Sequence, residues 1–325
     1  MKRTRLTPVL FFTLALASAG TGAQEVFPSR PVTFVVPITQ GTAADIIARV
    51  LGAKLGERWK QPVVIDNKPG ASGTLAASLV ARATPNGYTL LLPGAIYTMA
   101  PAVIKNLNYD PANDFVFISL TGSTNWALAV NNATMPAKDL EEFLALVRAQ
   151  PGRFHYATPG SGSPHHFGFE LFKQRLGLDV VHVPYKGAAG AMTDLLSGQV
   201  QMMLVPMGTA IANMRAARFR ILAVSGAERY APLPEIPTFR ERGIAFLDEL
   251  DGWSAVFAPA KTPRAIVERI NADFRAAIDS VEVREQFDKQ GLMTRGTTIE
   301  QTTDIVRADL LRWAKVAVDA KIGAE

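Results

Sequence analysis

The sequence contains no cysteine. That absence excludes disulfides, thiol nucleophiles, cysteine-held zinc and a lipid anchor on an N-terminal cysteine. A large surplus of charge of one sign is missing too. The formal charge is +5; Lys2, Arg3 and Arg5 carry three of it, and 5 − 3 leaves +2 for the rest. So small a surplus, with no basic run, argues against nucleic acid as the main partner. Enzyme signatures are absent. Gly160-Ser161-Gly162 is not the G-x-S-x-G of a nucleophile elbow. Residues 187–190 lack the Gly-Lys-Ser/Thr of a P-loop, and no G-x-G-x-x-G follows a strand. Of the four histidines, His155, His165, His166 and His182, the adjacent pair would point about 100° apart on a helix. No chelating pair, metal site or cofactor is expected, and His182 reads as a packed strand residue.

What is present is ordinary globular chain: 325 residues, 48% apolar and 19% charged, enough for about two domains of roughly 150 residues each. Residues 1–23 read as a secretory signal. Lys2, Arg3 and Arg5 precede a short apolar run at 9–17 (VLFFTLALA), and small residues follow. Cleavage is expected after Ala23, with Ala19 as second choice. The run is shorter than the roughly 20 residues a membrane span needs. A chain exported to a bacterial periplasm fits, because a two-domain core needs no disulfide staples.

Short apolar runs alternate with helical patterns. Strands are expected at 32–36, 63–65, 88–92 and 115–120, apolar on both faces as in a covered parallel sheet. Helices are expected at 44–55 and 72–83. The order restarts at 126–130 with a helix at 139–149, a strand at 154–157 and a helix at 167–176. A strand at 180–183, a helix at 188–196 and strands at 202–205 and 219–224 follow. Residues 231–238 (APLPEIPT) read as a loop. A strand at 253–257 and two helices complete the pattern, the last at 302–320 with Val306, Leu310, Trp313 and Ala317 on one face. This is α/β order, suggesting two similar lobes joined by a hinge.

Three loops of small residues sit at strand-to-helix junctions: 37–45 (PITQGTAAD), 67–74 (NKPGASGT) and 158–166 (TPGSGSPHH). In parallel α/β sheets ligands bind beyond the carboxyl ends of the strands. Free N–H groups and the helix dipole at such junctions suit an anion. The alternative for the first loop is a plain cap made by Thr42. Capping is likewise the simple reading of Asp45 and Asp194. Together the three loops point to one anion site in a cleft.

The chain resembles the Bug, or tripartite tricarboxylate transporter receptor (TctC-like), family of periplasmic solute-binding proteins. The motifs that carry the likeness are 28–37 (PSRPVTFVVP), 61–73 (QPVVIDNKPGASG), 83–91 (ATPNGYTLL), 109–115 (YDPANDF) and 156–166 (YATPGSGSPHH). With them go 182–187 (HVPYKG), 194–200 (DLLSGQV), 222–224, 234–243 and 258–263 (APAKTP). They occur in the family's order and cover nearly the whole chain after residue 23. The resemblance implies a two-lobed, type II Venus-flytrap fold, with lobe 1 formed by 24–125 and 250–325 and lobe 2 by 126–249. It implies a small carboxylate ligand, such as a di- or tricarboxylate, an acidic amino acid or an aromatic acid. The site would be lined by Thr39, Gln40, Gly41, Thr42, Ala43, Ala44, Asp45, Ser72, Gly73, Thr158, Ser161, Gly162, Ser163, His166 and Asp194. It implies two membrane subunits of a transporter as partners, a monomeric receptor and no catalysis; the alternatives are a ligand-presenting partner of a sensor and, further off, a secreted α/β hydrolase. The chain departs from the family pattern at the first loop, where Gln40 replaces a small residue, Thr42 a glycine and Ala44 a hydroxyl residue. In the second loop Ser72 stands where glycine is usual.

Overall fold

The structure, a computed structural model, describes residues 27–214 and 218–323. The signal-peptide reading at 1–23 lies outside the described residues. Two mixed sheets with helices on their faces make two lobes. The first sheet has the order β11-β4-β10-β3-β1-β2. Its strands are β1 (Val32–Val36), β2 (Val63–Asn67), β3 (Thr89–Leu91), β4 (Phe115–Ser123), β10 (Ser254–Pro259) and β11 (Met293–Thr294). The second has the order β7-β6-β8-β5-β9, from β5 (Trp126–Asn131), β6 (His155–Thr158), β7 (Val181–Pro184), β8 (Met202–Pro206) and β9 (Phe219–Val224).

The sheets are not purely parallel, as the apolar runs alone suggest. β1 pairs in parallel with β2 and β3, but β10 runs antiparallel to both β3 and β4. In the second sheet β6 is parallel to β7 and β8, while β5 is antiparallel to β8 and β9. Burial on both faces follows from helices above and below, whatever the strand direction. Strand direction does place the site. The carboxyl ends of β1–β4 lie at one edge, and β4 leaves that edge to enter β5. The carboxyl ends of β6, β7 and β8 lie beside the start of β5, where Trp126 faces Pro206. The two rows of strand ends therefore face each other across the crossing.

The chain crosses at Thr124–Asn125 and returns into β10. The crossing is tight: Thr124 N–H donates to Gly252 O at 3.3 Å. A Cβ on Gly252 would lie 2.6 Å from Thr124 Cγ2 and 2.9 Å from its carbonyl oxygen, so only glycine fits. Helices α1 (Ala43–Trp59), α8 (Arg264–Ile278) and α9 (Val281–Asp288) cover one face of the first sheet. The other is covered by α2 (Thr74–Ala81), α3 (Ile96–Val103) and α10 (Ile299–Asp319). In the second lobe α4 (Leu140–Ala149) and α5 (Pro164–Leu176) lie on one face, α6 (Ala188–Ser197) and α7 (Met207–Met214) on the other.

Three helices, not two, follow β10, because α9 buries only Val283 and Phe287 and gives a weak apolar period. The sequence pattern also lacks α3 and α7. α3 holds Pro101 and buries Tyr97, Thr98, Met99, Ala100 and Val103, so no polar face marks it. The helix expected from 72 starts at Thr74 instead, after a short turn at Ala71–Gly73.

The lobes share a seam. Phe167 of α5 meets Trp313 of α10 edge to face at 5.8 Å, and both rings are essentially buried. Trp313→Ala should cost about 3–5 kcal/mol, the usual loss for a large buried ring. A double-mutant cycle with Phe167→Ala should show coupling of about 0.5–1.5 kcal/mol. Urea unfolding checks both; strict additivity would mean the lobes do not communicate through this contact.

Candidate anion site between the lobes

The first two loops are built around one carboxylate. Asp45, 2% exposed in the first turn of α1, accepts three hydrogen bonds from outside its own backbone. Gly41 N–H donates to Oδ2 at 2.9 Å, Arg49 Nε to the same oxygen at 3.0 Å, and Asn67 Nδ2 to Oδ1 at 2.9 Å. Asn67 also donates to Ile38 O, and Lys68 N–H to Val36 O. The β1–α1 and β2–α2 loops are thus laced together. Burial disfavours the Asp45 charge, but bonds from Arg49, Gly41 and Asn67 outweigh it and hold the carboxyl below the usual carboxylate range.

The carboxylate's inward bonds leave the helix end open. Thr42 makes no side-chain cap; its hydroxyl donates to Thr39 O at 2.9 Å. Its only proton is therefore engaged, and the plain-cap reading does not hold either. The N–H groups of Ala43, Ala44 and Asp45 have no backbone acceptor, although Ala44 and Asp45 are buried while Thr39, Gln40 and Gly41 are exposed. In the second loop four consecutive residues have positive φ: Gly70 136°, Ala71 45°, Ser72 52° and Gly73 87°. This left-handed turn costs nothing at glycine and about 1–2 kcal/mol at an ordinary residue. Ser72 is exposed here, in a conformation that the family's usual glycine adopts freely. Lys68 turns back to Asp66 at 3.2 Å.

Across the seam, the β6–α5 loop packs under α3: a Cβ on Gly162 would lie 3.2 Å from Val103 Cγ2. Ser163 caps α5, accepting from His166 N–H at 3.3 Å. Thr158 is buried, and Ser161 stands exposed at the tip. His166 is 7% exposed and stacks on His182 at 3.9 Å. Burial above all, and the Lys173 ammonium, push its imidazole down to about 4; burial does the same to His182. His165 instead meets the ring of Trp126 at 4.9 Å, and burial alone takes it to about 3. All three are neutral near pH 7.

Asp194 is not at a helix start. It lies in the last turn of α6 and accepts Tyr185 Oη at 2.6 Å. Tyr185 N–H in turn donates to Thr158 O, and Gly187 N–H to Pro159 O, so the β7–α6 loop is bound to the β6–α5 loop. That brings in residues the three-loop reading left out. α6 starts at Ala188 after Gly187 with no side-chain cap, so the Ala188, Ala189 and Gly190 N–H groups are open, beside exposed Lys186. The signal was visible in the run KGAAG, which is too short of glycine and lysine for a P-loop but sufficient for an uncapped helix start.

Among the described residues no group of three or more His, Asp or Glu can hold a metal ion. A concavity of about 490 Å³ lies elsewhere, on the β11 side of the crossing. Its lining holds Glu228 and Asp288 beside Arg229, whose guanidinium is paired with Glu241, a net acidic surface that does not suit an anion.

Asp45→Asn tests the frame of the site. At pH 7 it should cost about 1.5–3 kcal/mol, the value of a hydrogen bond to a charged group. The sign follows from the lowered pKa: Asp45 stabilises above its unfolded value, near 3.9, and that contribution is lost as pH falls through the folded value. The gap between variant and parent should therefore narrow below about pH 4 in urea unfolding. A gap that is flat with pH would contradict an ionised, bonded Asp45.

The sequence model of tripartite tricarboxylate transporter family receptors matches residues 47–321. Protein BugT of Bordetella pertussis is 32% identical over 319 residues, 97% of this chain and 97% of that one. A Rhodopseudomonas palustris protein solved with adipate is 32% identical with a TM-score of 0.78, covering 91% of this chain and 99% of its own. MatC from the same organism, solved with bound malate, is 31% identical with a TM-score of 0.74, covering 89% and 99%. The fold, the opposed loops and these matches agree: the chain belongs to the tripartite tricarboxylate transporter receptor family.

Proposed function

We propose that the protein is a periplasmic receptor that captures a small dicarboxylate between its lobes and delivers it to the membrane subunits of a tripartite tricarboxylate-type transporter. The observation that carries this is the pair of uncapped helix starts, α1 in one lobe and α6 in the other, at facing rows of strand ends. Neither is closed by a side chain, and Lys68 is engaged by Asp66. Two relatives with this fold hold adipate and malate, both dicarboxylates.

The proposed contacts are the N–H groups of Ala43 and Ala44 under the lip Thr39–Gln40–Gly41–Thr42, then Ser72 with Gly73, and Ser161 with Gly162 and Ser163. The Ala188 and Ala189 N–H groups join them. Asp45, Thr158, His166 and Asp194 shape these loops from behind. Each hydrogen bond to a charged group contributes about 1.5–3 kcal/mol, and each helix end about 0.3–1 kcal/mol. Three such bonds reach the roughly 8 kcal/mol of micromolar affinity.

The receptor works without catalysis, as a monomer, after export and removal of residues 1–23. The lobes divide at 125/126 and 249/250 and close about the two crossings. No helix among the described residues is long and apolar enough to cross a membrane.

A thermal-shift panel of small carboxylates and matched neutral amides tests the reading. A dicarboxylate at a hundred times its Kd should stabilise by about 2.7 kcal/mol, and its diamide should not. A panel in which no carboxylate shifts the melting point would overturn it.

A further inference from the structure

The β6–α5 loop is bonded to two histidine rings. His166 lies in the first turn of α5, and His182 on β7, next to β6. Their rings stack 3.9 Å apart with 16° between planes. The stack continues from His182 onto Tyr156 at 4.8 Å and from Tyr156 onto Phe169 at 3.9 Å. Each histidine commits one ring nitrogen to the loop. Gly162 N–H donates to His166 Nδ1 at 3.1 Å. A ring nitrogen that accepts a hydrogen bond carries no proton, so neutral His166 is the Nε2–H tautomer. His182 Nε2 pairs with Thr158 Oγ1 at 2.7 Å, and that hydroxyl also receives Gly160 N–H at 3.3 Å. The two imidazoles thus hold both ends of the loop. Ser161 is left at its tip, exposed and without a hydrogen bond inside the protein.

A plain aromatic core would explain the stacking. It does not explain two nitrogens aimed at the backbone and hydroxyl of one loop, nor why the only acceptor for Gly162 N–H among the described residues is an imidazole. The charged groups facing the pair are Glu170 and Lys173, both of α5. Glu170 accepts from Tyr156 Oη and Lys173 Nζ; its charge favours an imidazolium at His182, but burial and the Lys173 ammonium outweigh it.

We propose that His166 and His182 act as one positioning unit that sets the backbone of 158–162 for ligand, His166 through its Nδ1 acceptor and His182 through Thr158. The proposal rests on the carboxylate-receptor reading for its consequence, but not for its geometry. Burial keeps both rings neutral, at about 4.

The test has two arms on the full mature chain. The first needs no ligand. Nitrogen-15 NMR of the imidazoles should show His166 as the Nε2–H tautomer with no titration between about pH 8 and about pH 5.5. Gly162 amide exchange should speed up in His166→Ala and stay near the parent rate in His166→Asn, whose Oδ1 takes the place of Nδ1. The second arm measures adipate affinity by calorimetry. His166→Ala should weaken it about tenfold and His166→Asn by no more than about threefold, with His182→Gln likewise close to the parent. An Nδ1–H tautomer, a titration near 6.5, or equal behaviour of the Ala and Asn variants would overturn the proposal. If the parent binds no carboxylate, the receptor reading fails, yet tautomer and Gly162 exchange still decide this one.

Discussion

Asp45 is the constraint on which the site depends. Its two oxygens, both turned inward, collect Gly41 from its own loop, Arg49 from its own helix and Asn67 from the next strand. A carboxylate at a helix start ordinarily caps it and satisfies the dipole. Here it braces the loops instead, and the first N–H groups of α1 stay unsatisfied. An anion from solution can then supply what the side chain does not. The same logic recurs in the second lobe, where Asp194 takes the Tyr185 hydroxyl at the far end of α6 and the start of that helix is left bare. In both lobes acidic side chains serve as struts behind loops whose outer surface is backbone.

The proposed site, made of amides at the strand ends of two sheets, would have a distinct selectivity. Amides recognise the oxygens of a carboxylate by direction, and their positions are fixed by strand ends rather than by flexible side chains. The left-handed run at 70–73 adds to that rigidity. With Ser72 at φ 52° the chain accepts local strain to keep the turn, as backbones at binding sites commonly do. The engaged Thr42 hydroxyl argues in the same direction. It holds the lip closed onto Thr39.

Much of the fold was legible from apolar periodicity. β1, β5 and β9 are β-branched or apolar runs bounded by polar or turn residues, and α10 shows its buried face at Val306, Trp313 and Ala317. α3 was hidden because burial all round erases the helical period, and Pro101 reads as a break. At the site, the three loops were visible as small-residue runs at strand-to-helix junctions. Their lacing was not, because Asp45, Asn67 and Arg49 meet only when β1 and β2 pair in register. The left-handed conformation at Ala71 and Ser72 was equally invisible, since nothing in an Ala-Ser pair demands it. Histidine stacking between α5 and β7 likewise arises from strand order, as His166 and His182 sit on different elements.

The central claim is that backbone amides, not a cationic clamp, hold the ligand. The most direct measurement is adipate affinity by calorimetry for the Lys68→Ala/Lys186→Ala double variant. Lys68 is spent on Asp66, and Lys186 is an exposed charge. Exposed pairs contribute at most about 1 kcal/mol, so the dissociation constant should stay within about tenfold of the parent. Complete loss of binding in a variant that still unfolds at the parent's urea midpoint would contradict the account.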